Sequence, residues 1–258
     1  MKPIGVFDSG VGGLTVVRAL RKELPDQPIL FLGDTARLPY GTKSADTVTR
    51  YTERNIDFLE HRGVRAVVVA CNTASALALP RLTPSVPSWG VVEPGAARAV
   101  ELAKRAIGVL ATESTVRSQA YPRAIARHRP DVDVFSQACP LFVPLVEEGW
   151  LEDPVTREVA QRYLEPLLEE GVDTLVLGCT HYPLLRPLLE DIVGSNVALV
   201  DSAEVTASAV RSGLAEIDTG RDASFDDHFF VTDSAERFER IASLILGPST
   251  ARLEHIDL

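Results

Sequence analysis

Gly63-Val64-Arg65-Ala66-Val67-Val68-Val69-Ala70-Cys71-Asn72-Thr73 and Gly171-Val172-Asp173-Thr174-Leu175-Val176-Leu177-Gly178-Cys179-Thr180-His181 are two copies of one phrase, set 108 positions apart. In each, a helix-like stretch ends at glycine, a short apolar run follows, and a cysteine stands where the run stops. Apolar runs bounded by glycine and polar residues suit strands buried on both faces of a parallel sheet. Open α/β sheets bind ligands in the crevice beyond the carboxyl ends of their strands. Two matched thiols at two matched strand ends predict one site built from two similar halves.

A second echo supports duplication. Ile4-Gly5-Val6-Phe7-Asp8-Ser9 reappears as Ile107-Gly108-Val109-Leu110-Ala111-Thr112, at an offset of 103 rather than 108. Within the first half, Leu14, Val17, Leu20 and Leu24 keep near-helical spacing. Ile29 to Leu32 reads as a strand, Ala45 to His61 as a helix, and Val64 to Ala70 as the strand before Cys71. In the second half, Val132 to Phe135 reads as a strand, Pro154 to Glu170 as a helix with proline in its first turn, and Val172 to Leu177 as the strand before Cys179. Near the C-terminus, His228 to Thr232 reads as a strand. Asp233 to Glu236 has capping-box spacing for a helix running to Leu246. This last unit is expected to return onto the first half.

The predicted fold is α/β: two similar parallel-sheet domains related by a pseudo-twofold axis, with the active site in the cleft between them. Residues 1–92 plus 205–258 form the first domain, carrying Asp8 and Cys71. Residues 93–204 form the second, carrying Cys179 and His181. The chain is expected to cross near Glu93-Pro94-Gly95 and Asp201-Ser202.

Composition bounds the function. With 258 residues, 45% hydrophobic and 24% charged, the chain has the make-up of a globular protein able to bury a core. Its 26 Lys plus Arg against 36 Asp plus Glu give a net charge of −10 with no basic run, which argues against nucleic-acid binding. An anionic ligand would have to be held by local donors such as backbone N–H groups. The N-terminus runs straight into a strand-like segment with no signal-peptide pattern, and no long apolar stretch suggests a membrane span. An allosteric site built from a long N-terminal extension is likewise not expected. The odd number of cysteines, 3, points to free thiols and a cytoplasmic protein.

A lone cysteine at a strand end is ordinarily a small buried hydrophobe. Two at equivalent places, followed by Asn72-Thr73 and Thr180-His181, call for a shared role. A thiolate is a base as well as a nucleophile. One can remove a proton from a carbon centre while a thiol on the opposite face returns another, inverting the stereocentre. Cys139 has no repeat partner and is expected in the core. Cys71, Cys139, Cys179 and His181 could be drawn as a zinc site, but no closely spaced ligand pair is present and no metal is expected.

Asp8-Ser9-Gly10-Val11-Gly12-Gly13 reads as a glycine-rich turn opening a helix. It lacks the lysine of a nucleotide phosphate loop, and Asp8 and Ser9 could meet an ammonium group and donate a hydrogen bond. Pro39-Tyr40-Gly41 can present backbone N–H groups to a carboxylate. Of the histidines, His181 is the one placed to influence a thiol, while His61, His128, His228 and His255 are incidental.

Phe7 to Leu14 (FDSGVGGL), Gly33 to Gly41 (GDTARLPYG), Ala70 to Ser75 (ACNTAS), Glu93 to Ala96 (EPGA), Ala138 to Gly149 (ACPLFVPLVEEG) and Gly178 to Leu185 (GCTHYPLL) together resemble the glutamate racemases. The resemblance spans most of the chain in family order, departing only at Leu38, where a smaller valine is more usual. It implies cofactor-independent interconversion of L- and D-glutamate, supplying D-glutamate to peptidoglycan. Cys71 and Cys179 would be the acid/base thiols, assisted by Asp8, Glu147 and His181. Asp8, Ser9, Tyr40, Gly41, Asn72, Thr73, Thr112, Thr115, Thr180 and His181 would hold the substrate. A homodimer is also implied. Independence from pyridoxal phosphate is compatible with the four lysines, Lys2, Lys22, Lys43 and Lys104, none at a buried strand end. Another amino-acid or hydantoin racemase, or a non-catalytic amino-acid-binding regulator, would differ in substrate preference or in retention of the α-hydrogen.

Overall fold

The computed structural model describes residues 1–215, 227–233, 235–247 and 251–258. Among these residues, ten strands alternate with helices: β1 Ile4–Asp8, β2 Ile29–Gly33, β3 Ala66–Val69, β4 Ser88–Gly90, β5 Ala106–Ala111, β6 Asp133–Ala138, β7 Thr174–Gly178, β8 Ala198–Asp201, β9 His228–Val231 and β10 Arg252–His255. They form two sheets, ordered β10-β9-β2-β1-β3-β4 and β6-β5-β7-β8, with every pairing parallel.

Four strands of the first sheet and the whole of the second share one topology. The register is shared too. Ile4 pairs with Ala66 across β1 and β3, and Ile107 pairs with Thr174 across β5 and β7. The two sequence offsets, 103 and 108, are thus reconciled in the connecting segments, and the strands keep step.

The strands are buried on both faces, as their apolar runs predict. Ile4, Val6, Ile29, Phe31, Ala66 and Val68 join one core cluster, whereas Phe7, Leu30, Leu32, Val67 and Val69 join another. Side chains alternate across a pleated strand, so neighbours in sequence enter opposite layers. The second sheet divides likewise, with Leu110, Leu175 and Leu177 on one side and Ile107, Val109 and Val176 on the other.

The helices Ala45–His61, Pro154–Glu169 and Ala235–Leu246 lie where periodicity places them. Ser44 caps the first, its Oγ accepting from the Thr47 N–H at 3.3 Å, and Asp153 caps the second through the Val155 N–H at 2.8 Å. The capping-box reading at 233–236 runs through Ser234, outside the described residues. The strand β3 is shorter than its apolar run, because Ala70 and Cys71 already turn toward the helix Asn72–Leu77. The sequence reading did not include β4, β8 or β10, which have three or four residues each and carry no clear alternation. Both passages between the sheets lead into helices, Val92–Leu102 and Ser202–Ala215. The strands β9 and β10 extend the first sheet beside β2. Among the described residues, no helix is long and apolar enough to cross a membrane.

Candidate active site

Cys71 and Cys179 stand just beyond the ends of β3 and β7 and line one cavity of about 320 Å³. Ser9, Tyr40, Gly41, Asn72, Thr73, Thr112, Glu147, Thr180 and His181 line the same cavity. Asp8 and Thr115, also expected at the substrate, sit one layer behind this wall.

On the first half, the Cys71 thiol donates to Ser9 Oγ at 3.3 Å. Burial, reinforced by the neighbouring Asp8 carboxyl, pushes this thiol up to about 12. Asp8 is fully buried, and its Oδ2 accepts from the Gly10 N–H at 2.9 Å. Burial also raises its carboxyl above the ordinary range, with His181 and local donors pulling the other way.

On the second half, Cys179 Sγ lies 3.9 Å from His181 Nδ1, and His181 Nε2 donates to Glu147 Oε1 at 3.0 Å. Burial disfavours the imidazolium, but hydrogen bonding and charge from Cys179 and Glu147 outweigh it and raise His181 to about 10. Glu147 goes the other way. Its burial is overcome by His181 and Arg237, which hold its carboxyl below the usual range. A charged relay thus backs Cys179, and Arg237 Nη2 closes it with a 2.6 Å ion pair to Glu147 Oε2.

The two halves meet through small and hydroxyl-bearing residues. A side chain at Gly12 would put its Cβ 2.5 Å from both His181 Nδ1 and Thr180 Oγ1. The glycine-rich turn therefore serves close approach to the opposite half as well as backbone freedom. Thr180 Oγ1 donates to Asp8 Oδ1 at 3.4 Å, and Thr15 Oγ1 donates to the Thr180 carbonyl at 3.0 Å. Elsewhere on this boundary, Thr73 Oγ1 lies 3.0 Å from Thr112 Oγ1 and 3.3 Å from Thr115 Oγ1. Thr115 reaches the cavity only through these partners.

The Tyr40 hydroxyl is engaged by its own half. It donates to Asp34 Oδ2 and accepts from Asn55 Nδ2 at 3.1 Å, so Tyr40 faces the cavity only as part of its turn. Asn72 Nδ2 donates to the Tyr121 hydroxyl at 2.8 Å, leaving buried Asn72 Oδ1 with no protein partner. Cys139 is fully buried in the second-half core and also forms part of the cavity wall; burial raises its thiol. Among the described residues, no group of three or more His, Cys, Asp or Glu side chains is arranged to hold a metal ion.

Sequence reasoning missed Arg237 and the buried Asp34. Asp34 lies inside a quoted motif, whereas Arg237 sits on an amphipathic helix whose facing partner only the fold supplies.

Residues 14–210 match the family model for Asp/Glu/hydantoin racemases. Over 262 residues the chain is 50% identical to the glutamate racemase of Geobacter metallireducens, covering 100% of this chain and 97% of that protein. This chain belongs to the glutamate racemase family. Solved structures of the family superpose along its length. The Thermus thermophilus glutamate racemase in complex with β-chloro-D-alanine is 45% identical with a TM-score of 0.88, covering 100% of this chain and 97% of that one. The Francisella tularensis glutamate racemase in complex with D-glutamate is 34% identical with a TM-score of 0.92, covering 99% and 97%. The two-domain parallel α/β architecture read from the repeat is the architecture of the family.

Proposed function

We propose that the protein interconverts L- and D-glutamate by proton transfer between two thiols, supplying D-glutamate for peptidoglycan. The observation that carries this reading is the pair of buried cysteines, delivered by equivalent strand ends of two similar halves into one cavity. One thiolate takes the α-proton, and the electron pair left on the carbon spreads into the adjacent carboxylate. The opposite thiol donates its proton to the other face. The stereocentre inverts, atoms balance, and the two thiols end with exchanged protonation states.

Cys71 and Cys179 are the acid/base groups. His181, held charged near neutral pH, assists Cys179, and Glu147 fixes the imidazole orientation. Burial and the Asp8 carboxyl, both raising Cys71, favour its thiol form in the free protein. The substrate ammonium would bring positive charge beside it, with Ser9 as an acceptor at the cavity wall and the buried Asp8 carboxyl acting from one layer behind. Thr73, Thr112, Thr180 and backbone N–H groups of the turn at Tyr40 and Gly41 suit the carboxylates; Thr115 orients Thr73 and Thr112.

The division into 1–92 plus 205–258 and 93–204 is supported by strand membership of the two sheets. Three free, buried cysteines support a reducing, cytoplasmic setting. A homodimer follows the family expectation, to be checked by sedimentation.

Proton NMR of L-glutamate in D₂O with purified protein and no added cofactor, coupled to chiral analysis, tests the function. Loss of the α-proton signal with appearance of D-glutamate is the expected result. An unchanged signal from folded, reduced protein would reject it, and exchange of another amino acid in its place would reassign the substrate.

A further inference from the structure

The helix Ala235–Leu246 packs on the first half, yet two of its arginines reach the second. Arg237 pairs with Glu147 Oε2 at 2.6 Å, and Arg240 Nη2 donates to the Glu147 backbone carbonyl at 3.4 Å. Spaced i, i+3, the two share one helix face. Glu147 is the last residue of the helix Phe142–Glu147, where unpaired carbonyls and the helix dipole favour a cation.

Arg237 also stands at a boundary. Its half-exposed side chain lines the thiol cavity and a neighbouring cavity of about 150 Å³. One carboxylate oxygen of Glu147 faces this arginine while the other accepts from His181. The path Arg237, Glu147, His181, Cys179 therefore runs from a first-half helix to a second-half thiol. Among the described residues, no chain of ion pairs of this kind leads to Cys71, whose thiol donates to Ser9 of its own half, while the Asp8 carboxyl behind it accepts from Thr180 of the other.

We propose that Arg237 and Arg240 form a clasp between the halves, positioning Glu147 so that His181 is oriented toward Cys179. This rests on the racemase reading and adds two positioning residues to it. With the clasp lost, Glu147 gains rotational freedom and proton transfer at Cys179 slows, while transfer at Cys71 keeps its own surroundings. The clasp also ties the helix Phe142–Glu147, one wall of the cavity, to the opposite half.

The test uses Arg237→Gln, Arg240→Gln and Arg237→Lys, each matched to wild type in thermal unfolding. Turnover is measured in both directions, with deuterium isotope effects from α-deuterated L- and D-glutamate, and amide hydrogen exchange is followed over residues 142–148. Arg237→Gln is expected to lower kcat roughly tenfold, the low end for a charge-assisted bond because Arg237 is half exposed. A racemisation has an equilibrium constant of unity, so kcat/KM must stay equal in the two directions. The isotope effect should nevertheless rise for the enantiomer deprotonated by Cys179 and fall for the other. Arg237→Lys should recover part of the loss, Arg240→Gln should act more weakly, and amides over 142–148 should exchange faster. Isotope effects that move together for both enantiomers, or unchanged kcat and unchanged exchange over 142–148, would overturn the proposal. Wild-type protein that never exchanges the α-proton would reject the racemase reading, and the substrate-free exchange rates would still decide whether the clasp holds.

Discussion

The two thiol corners of the cavity are equivalent in backbone and different in chemistry. The offsets that align β1 with β5 and β3 with β7 set Asp8 against Ala111, Ser9 against Thr112, and His181 against Thr73. Where Asp8 and His181 approach each other across the boundary, the structure has buried carboxyl, imidazole, Glu147 and Arg237. At the pseudo-equivalent corner stand three hydroxyls, those of Thr73, Thr112 and Thr115. The two halves carry like thiols on matching strands, and the ionisable groups are concentrated at one corner. A two-base reaction needs both thiols, but nothing requires them to be tuned by the same neighbours.

The sharpest way to break this comparison is to remove the thiols one at a time. Cys71→Ser and Cys179→Ser should each lower racemisation by on the order of a thousandfold or more, because a hydroxyl is a poor base near neutral pH. A Cys71→Ser variant within tenfold of wild type in coupled D-glutamate assays would show that the first-half thiol is dispensable. Unequal tuning comes next. His181→Asn should cost roughly a hundredfold in kcat, against roughly tenfold for Ser9→Ala, which removes a single neutral hydrogen bond. Equal losses would mean that the charged corner has no special share in the chemistry.

The interface between the corners can be probed at Gly12. A methyl there would meet His181 and Thr180, so Gly12→Ala should destabilise by about 1–3 kcal/mol in denaturant unfolding and depress turnover. A neutral, fully active variant would mean that the halves have slack where the structure shows contact. Titration sharpens the contrast further. With its thiol raised to about 12, Cys71 is protonated below that pH, and its thiolate fraction grows as pH rises. Its alkylation by iodoacetamide in the free protein, read by peptide mass spectrometry, should keep accelerating from pH 7 through pH 10. A plateau within that range would contradict the assigned surroundings. The smallest effect belongs to Cys139→Ala, expected to cost about 1 kcal/mol of stability and to leave turnover within a few-fold. A folded but inactive Cys139 variant would transfer a chemical role to the third thiol.

Much of this molecule is legible in the chain because duplication writes the same physics twice. Val67 to Val69 and Leu175 to Leu177 are too apolar for a one-sided sheet, and the register between β1 and β3 recurs between β5 and β7. The thiols follow, since their place at the strand ends is set by local sequence alone. Elements with weak local signal were not legible. Ser88–Gly90 and Arg252–His255 become strands only because a neighbouring edge offers them hydrogen bonds. Tyr40 illustrates a different limit. Its turn is visible in the sequence, but whether its hydroxyl faces a ligand or Asp34 depends on a buried partner brought from the helix Ala45–His61.

The sequence by itself determined the strongly apolar strands, the repeated frame and the two cysteines at its matching ends, because burial on both faces and the turn chemistry act over a few residues. Only the tertiary structure decided that Arg237 would meet Glu147, that Gly12 would lie against His181, and that Asn72 would donate to the Tyr121 hydroxyl. Those relations join residues far apart in the chain. They arise from how two sheets pack across a shared boundary, where charge, close approach and desolvation act over a few ångströms of space rather than along the sequence.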